Sequence, residues 1–346
     1  MLTTIQGWLD EGKISYSAYL NVTNKKAEHE YLTATDSQLK ISVLISTYKR
    51  SAYLIRLLDS IRDQGYKNYE IIIVDDASND DTEQTVNQYR EENPDVNIIY
   101  MMNQTNMGAS KSRKRAYLKA SGDIVIFVDD DDYFIEPSYF SMLTQLHEKH
   151  PDCVMTIAST IQYIEQEEKY EYIDLNVPGV LSTQEYLNGF MGIYRKPSST
   201  FAMSLNNAIM KGLHYDELMC FNDTSLYLFG LLGKGNVYAI SQAVGIYNIH
   251  AGSITGNTTP EFIVANLESK EYIYLRAKNA GILNNPKEWH YRNMLITSGY
   301  HLASSHCRED KKVWKWMKEH LNWTDYCRFT AKVMKSRIVR RLKMLS

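Results

Sequence analysis

The stretch "EIIIVDDASND", residues 70–80, decides the fold class. Its apolar residues Ile71 to Val74 run without a break instead of alternating with polar ones. A strand written that way is buried on both faces, as in a parallel sheet covered by helices. It stops in two aspartates, Asp75 and Asp76, so a polar cluster caps a buried strand. Upstream, "ISVLIST" (residues 41–47) is a second β-branched run. It is followed by "SAYLIRLLDSIRDQG", where Leu54, Leu57, Leu58 and Ile61 fall at helical spacing. Ser51 reads as the N-cap of that helix and Gly65 as its stop. Downstream come a polar helix over 80–92, a strand over 97–101, a helix through "GASKSRKRAYLKASG" and the strand opening "DIVIFVDDDD". Strand starts recur about every 26–30 residues, the length of a βαβ unit. Right-handed crossovers then build an α/β, Rossmann-like, doubly wound sheet, mostly parallel.

That topology gathers the polar clusters. In such sheets ligands bind beyond the carboxyl ends of the strands. Those ends carry "STYKR", "DDASND", "NQTNMG" and "DDDDY". The rim has no G-x-G-x-x-G after the first strand and no G-x-x-x-x-G-K-[ST], which disfavours a dinucleotide site and a P-loop. Four adjacent carboxylates, Asp129 to Asp132, repel one another unless something positive sits among them. They suit a hard divalent cation, Mn²⁺ or Mg²⁺, bound through one or two carboxylates and substrate phosphate oxygens. The plain alternative is an acidic turn with helix caps. Asp75 or Asp76 can accept from the N–H of a uracil or similar base, or form an Asx turn. Tyr48 offers a ring to pack beside a base.

Beyond these strands the chain reads as irregular and β-like from Pro151 to His250, and helical past Pro260. His147 and His150 in "HEKH" read as solvated helix residues. The 346-residue chain carries a net charge of −3, and the two signs are unevenly placed. Residues 261–346 hold 17 Lys and Arg against 8 Asp and Glu, while residues 1–260 hold 21 against 33. The end, "RFTAKVMKSRIVRRLKMLS" (residues 328–346), has seven basic residues and no acid. Met334, Ile338, Leu342 and Leu345 share one side at helical spacing, which fits a helix lying on an anionic membrane. Nucleic acid is a poorer partner, because the basic residues are confined to one end. The four cysteines are scattered and read as reduced thiols. No signal peptide is visible, and no apolar run approaches the ~20 residues of a membrane span. A cytoplasmic protein is expected, peripheral on the inner face of the membrane if the tail binds there.

Together these pieces resemble glycosyltransferase family 2 and its GT-A fold. The resemblance rests on "ISVLISTYKRSAYLIRLLDSI", "YEIIIVDDASNDDT", "NMGASKSRKRAYLKASGDIVIFVDDDD", "GLHYDELMCFNDTSLYLFGLLGKGNVYAI" and "VGIYNIHAGSITGN", in the family's order across residues 40–257. It implies an N-terminal extension (1–39), a GT-A domain (40–257) and a C-terminal helical region (258–346). It implies that Tyr48 and Asp76 contact the base, with Ser46, Thr47 and Asp75 beside them. Arg113 would reach the base or the diphosphate. Asp129 and Asp131 would form the D-x-D, or Asp130 and Asp132 one residue along, with Asp131 on the metal. Asp223 would be the general base of an inverting transfer. His250 and Ser253 would help hold the metal–diphosphate end. The base motif is commonly Glu-Asp, whereas this chain has Asn222-Asp223. The expected reaction moves a sugar from a nucleotide-sugar, a UDP-sugar, to a glycan or lipid-linked acceptor in bacterial cell-surface polysaccharide synthesis. Two other readings are a sugar nucleotidyltransferase, disfavoured because "STYKR" lacks glycine, and a silent nucleotide-sugar-binding partner of another transferase.

Overall fold

A computed structural model describes residues 7, 9–11, 13, 37–250, 259–305 and 310–345 of the chain. Two compact units divide it, one of residues 1–217 and 221–251, the other of 218–220 and 252–346. The expected boundary at 257 and Ser253 lie outside the described residues.

The first unit begins with the alternation the sequence announces: β1 (Ile41–Thr47), α1 (Ser51–Arg62), β2 (Tyr69–Asp75), α2 (Thr82–Glu92), β3 (Ile98–Met102), α3 (Ala109–Lys119) and β4 (Ile124–Asp129). These four strands lie side by side in the order β3-β2-β1-β4, all parallel. β1 and β2 are buried along their whole length, as unbroken apolar runs require. On one face, α1 packs Leu54, Leu57, Leu58 and Ile61 against Ile41, Val43 and Ile45 of β1. Burying four such side chains is worth at most about 6–12 kcal/mol against the open chain. On the other face, Tyr117 of α3 stacks on Phe127 of β4.

Beyond β4 the sheet becomes mixed. β5 (Tyr133–Phe134), α4 (Tyr139–Lys149), β6 (Cys153–Ile164), β7 (Lys169–Ile173), β8 (Val180–Ser182), α5 (Thr183–Gly189), β9 (Met203–Asn206), α6 (Asn207–Gly212), α7 (Asp223–Gly230) and β10 (Asn236–Ile249) follow. The path continues β4-β9-β6-β10-β5, with β9 antiparallel to both neighbours and β10 parallel to β6. β10 slips register against β6 near Ala243 and carries the chain back to the rim. Gly245 there is required, since a Cβ would meet the Tyr133 carbonyl at 2.7 Å and the Phe201 ring. Of the N-terminal stretch, the Lys13 carbonyl accepts from Tyr170 N, and Leu9 packs beside Ile161 and Ile246.

Three local expectations are corrected. Ser51 is the first helical residue of α1; Arg50 precedes it, and the Ser51 hydroxyl donates to Asp81 instead of capping. Gly65 lies beyond the helix end, where its N–H donates to Pro137 O. His147 is not solvated: α4 is buried continuously from Tyr139 to His147. His147 faces Ser204 Oγ at 3.3 Å, and burial pulls its pKa down to about 4. His150 stacks on Tyr238.

The second unit is helical: α8 (Pro260–Asn279), α9 (Pro286–Ser304), α10 (Lys311–His320) and α11 (Trp323–Leu345). Its core joins Leu267, Met294, Leu302, Val313, Met317 and Phe329.

Candidate active site

The site grows from the strand ends. Past β2, the Asp75 carboxylate accepts from Ser78 N and Ser78 Oγ, three residues on, and from the Tyr100 hydroxyl. Asp76 accepts from Met107 N, Gly108 N, Asn103 Nδ2 and Ser112 Oγ. Gly108, at φ +85°, is the N-cap of α3 and has no cap side chain; the Asp76 carboxylate, just past β2, binds its N–H and that of Met107 and pins the entry to the helix. Both aspartates are buried and hold loops in this arrangement. Ser46 and Thr47 end β1 in the buried sheet, and Tyr48 follows at 41% exposure, with Lys49 Nζ over its ring at 5.3 Å from the centroid.

Fixing the start of α3 fixes its phase, which turns Arg113 inward. Arg113 is buried, and its guanidinium forks. Nη1 donates to Asp223 Oδ1 at 3.0 Å and to Phe221 O at 3.2 Å, while Nη2 donates to Asp129 Oδ1. Asp223 is the first residue of α7. Asn222 is its N-cap and accepts from Ser225 N. The departure Asn222 therefore does the capping and leaves the Asp223 carboxylate to face Arg113. Asp223 keeps 36% of its side chain exposed and Asp129 27%, so both reach solvent.

The rest of the quartet divides sharply. Asp132 is fully buried; it accepts from Ser199 Oγ and Asn248 N and ties β10 to the β4 end. Asp130 accepts from Arg50 Nη1 at 3.0 Å. Asp131 Oδ2 accepts from Arg50 Nη1 at 2.6 Å and meets His250 Nε2 at 2.8 Å. The His250 ring stacks on Tyr53, and Arg56 donates to the Asp131 carbonyl. Asp129 and Asp223 thus meet through Arg113, and Asp131 meets Arg50 and His250, while Asp132 points into the protein.

Charge follows burial and partners. Burial raises Asp130 to about 7 against the pull of Arg50, and raises Asp132 well above the carboxylate range with Asp131 adding to it. Burial also raises Asp129, outweighing Arg113. Asp223 goes the other way: burial opposes it, but Arg113 and then Lys196 hold its carboxyl below the ordinary value. The arrangement offers an ionised carboxylate at Asp223 and a carboxylate–imidazole pair at Asp131 and His250. Sequence reasoning missed Arg50, Tyr53, Lys196, Ser199 and Asn248. Only Arg50 carried a signal, as the last residue of "STYKR" beyond β1.

Comparison with known proteins agrees with this architecture. Residues 42–218 match Glycosyl transferase family 2. Glycosyltransferase GlyG of Streptococcus pneumoniae serotype 4 is 29% identical over 223 residues, 62% of this chain and 72% of that protein. The UDP-Glc:alpha-D-GlcNAc-diphosphoundecaprenol beta-1,3-glucosyltransferase WfaP of Escherichia coli is 29% identical over 225 residues, 64% of this chain and 82% of WfaP. Poly(ribitol-phosphate) beta-N-acetylglucosaminyltransferase TarS of Staphylococcus aureus is 33% identical over 120 residues, which span 34% of this chain and only 20% of TarS. The crystal structure of S. aureus TarS 1-349 in complex with UDP-GlcNAc superposes with a TM-score of 0.65 at 17% identity, covering 86% of this chain and 89% of that one, a likeness of fold. The chain is a glycosyltransferase with a GT-A fold and belongs to glycosyl transferase family 2.

Proposed function

We propose that this chain is a metal-dependent, inverting transferase that moves a sugar from a UDP-sugar to a glycan or lipid-linked acceptor. One observation carries the reading: a single guanidinium, that of Arg113, spans Asp129 and Asp223. That contact supports a D-x-D acid and a base working side by side. WfaP is named for a UDP-Glc donor and a diphosphoundecaprenol acceptor, and TarS was solved with UDP-GlcNAc, which supports the donor and acceptor classes.

Asp223 accepts the acceptor hydroxyl's proton as that oxygen attacks the anomeric carbon; the low carboxyl pKa keeps it ionised at neutral pH. Arg113 holds the carboxylate in place. Tyr48, partly exposed, would pack beside the base, and Asp75 and Asp76 would shape that subsite through the loops they hold. Among the described residues no group of three or more His, Cys, Asp or Glu closes on a cation. Asp131 Oδ2 and His250 Nε2, 2.8 Å apart, supply two donors, and substrate phosphate oxygens and waters complete such sites. Mn²⁺ or Mg²⁺ fits there, and when bound it would balance charge on the departing diphosphate. The GT-A body is assigned to residues 40–257 and the helical region to 258–346. The basic face of α11 would hold the protein on the inner face of the cell membrane.

A panel of nucleotide-sugars tested by thermal shift, with Mn²⁺ and with chelator, checks the reading. A specific UDP-sugar at 100 times its Kd adds about 2.7 kcal/mol to stability by mass action. Indifference to every nucleotide-sugar, whatever the cation, removes the proposal.

A further inference from the structure

We infer that Lys196 is an acceptor-binding residue: its ammonium, near the Asp223 carboxylate, receives an acidic group that the acceptor carries close to the hydroxyl that reacts. The inference rests on the transferase reading above and deepens it, from a glycan or lipid-linked acceptor to one that bears a phosphate or a carboxylate.

Lys196 lies in the segment "FMGIYRKPSST" (residues 190–200), which has two cations and no acid. Three contacts tie its backbone down. The Tyr186 hydroxyl of α5 donates to Arg195 O at 2.7 Å, Ser198 pairs with Thr160 of β6 through their hydroxyls, and Ser199 Oγ donates to Asp132 past β4. Lys196 Nζ lies 5.9 Å from the centroid of the Tyr227 ring, and Tyr227 is fully buried, one helical turn beyond Asp223 on α7. Burial raises the Asp223 carboxyl, and Arg113 and then Lys196 pull it down, so the field of the ammonium reaches the base. Yet among the described residues Lys196 has no hydrogen-bond or ion-pair partner, and Arg195 beside it meets no acid.

These facts do not suit a mere counter-ion. Arg113 already holds Asp223, at 3.0 Å. A second cation nearby makes the carboxylate a weaker base, and its own three N–H donors find no acceptor among the described residues. An acidic group on the acceptor fills those donors with charge-assisted hydrogen bonds and offsets the pull on Asp223. The choice of acceptor over donor follows from the displacement. The acceptor hydroxyl has to come within hydrogen-bond reach of the base, while an inverting transfer sends the diphosphate off the opposite face of the sugar. A cation near Asp223 is on the acceptor's side.

Ligand-observed proton NMR titrations of the intact chain, at saturating UDP and Mg²⁺, compare glycerol 1-phosphate and glycerate with uncharged glycerol. Wild type should bind at least one of the anions about tenfold or more tightly than glycerol, the usual worth of hydrogen bonds to a charged group. Lys196→Gln should lose that preference, and Lys196→Arg should keep most of it. The tighter anion assigns the acidic group as phosphate or carboxylate. Thermal melts report whether each variant is folded. If Lys196→Gln does not fold, wild type still decides: a preference for an anion at saturating UDP supports the inference, and equal affinity for glycerol and both anions overturns it. A preference that survives in folded Lys196→Gln overturns it too, and leaves the transferase reading standing. An anion that binds only when UDP is absent assigns the ammonium to the donor's diphosphate and overturns it as well. UDP that never binds is the separate mark of a failed transferase reading, and the acceptor assignment falls with it.

Discussion

At the scale of the residue, one arginine organises the site. Asp223→Asn keeps the shape of the side chain and removes its basicity. Turnover should fall by about 10²–10⁴, the usual worth of a positioned base, with nucleotide-sugar binding kept; steady-state rates beside a binding titration check both. Near-normal turnover would place the base elsewhere. Arg113→Met acts differently, because it strands two partly buried carboxylates. Removing one partner of a fully buried pair costs about 3–5 kcal/mol, and the loss here should be smaller because both acids reach solvent. Asp129→Asn in the same chain should restore part of it, and a denaturant double-mutant cycle measures that return. A sum of independent effects would show that the guanidinium does not bridge them. The motifs singled out Asp131, Asp223 and His250, and the fold brings Asp131 and His250 within 2.8 Å of each other. What Arg113 and Asp76 touch was not legible, because a hydrogen-bond partner across 30 or 100 residues leaves no local pattern. Arg113 meets Asp223 at a separation of 110 residues.

At the scale of the element, unbroken strands were readable and helix faces less so. β1, β2 and β4 declare themselves because continuous β-branched runs have one stable home, between two layers. α4 did not declare its burial: His147 looked polar, yet the helix is covered on all sides up to that residue. The foot of the sheet carries a testable device. Glu70 of β2 accepts from Lys40 Nζ at 2.7 Å, Ser42 Oγ at 2.6 Å and Ser121 N at 2.8 Å, joining β1, β2 and the turn after α3. Burial works against this carboxylate, but Lys40 and the serines outweigh it and hold its pKa at about 2. A carboxyl depressed on folding contributes fully above its unfolded value, 4.5, and that contribution fades as pH falls from there through about 2. Glu70→Gln should cost about 2 kcal/mol near pH 7, as for a charged group with several hydrogen bonds. It should also flatten the decline in stability between pH 4.5 and 2, read from urea midpoints across that range. An unchanged acid limb would move the sensitivity to another group.

At the scale of the molecule, the charge asymmetry of the sequence resolves onto one helix with two unlike faces. Along α11, Phe329 and Val333 are buried in the core of the second unit. Trp323, Met334, Ile338 and Leu342 fall on a different side at helical spacing and stay in water, Trp323 at 73%, Ile338 at 60% and Leu342 at 61% exposure. Lys332, Lys335 and Arg341 stand beside that strip, and no acid follows Asp325. Among the described residues, no helix is long and apolar enough to cross a membrane. An apolar strip with a Trp at one end and cations along its edges matches the boundary of an anionic bilayer, where each nearby Lys or Arg adds about 1 kcal/mol. The purified chain should therefore float with vesicles containing anionic phosphatidylglycerol and stay behind with neutral ones. Ile338→Asp with Leu342→Asp should abolish flotation while leaving the melting temperature within a few degrees, since neither side chain is packed inside. Raising salt to about 1 M, where the Debye length falls to about 3 Å, should weaken wild-type flotation and leave a residue carried by the apolar strip. Equal partitioning of wild type and the double variant would assign the exposed strip to some other contact and remove the membrane from the account of this chain.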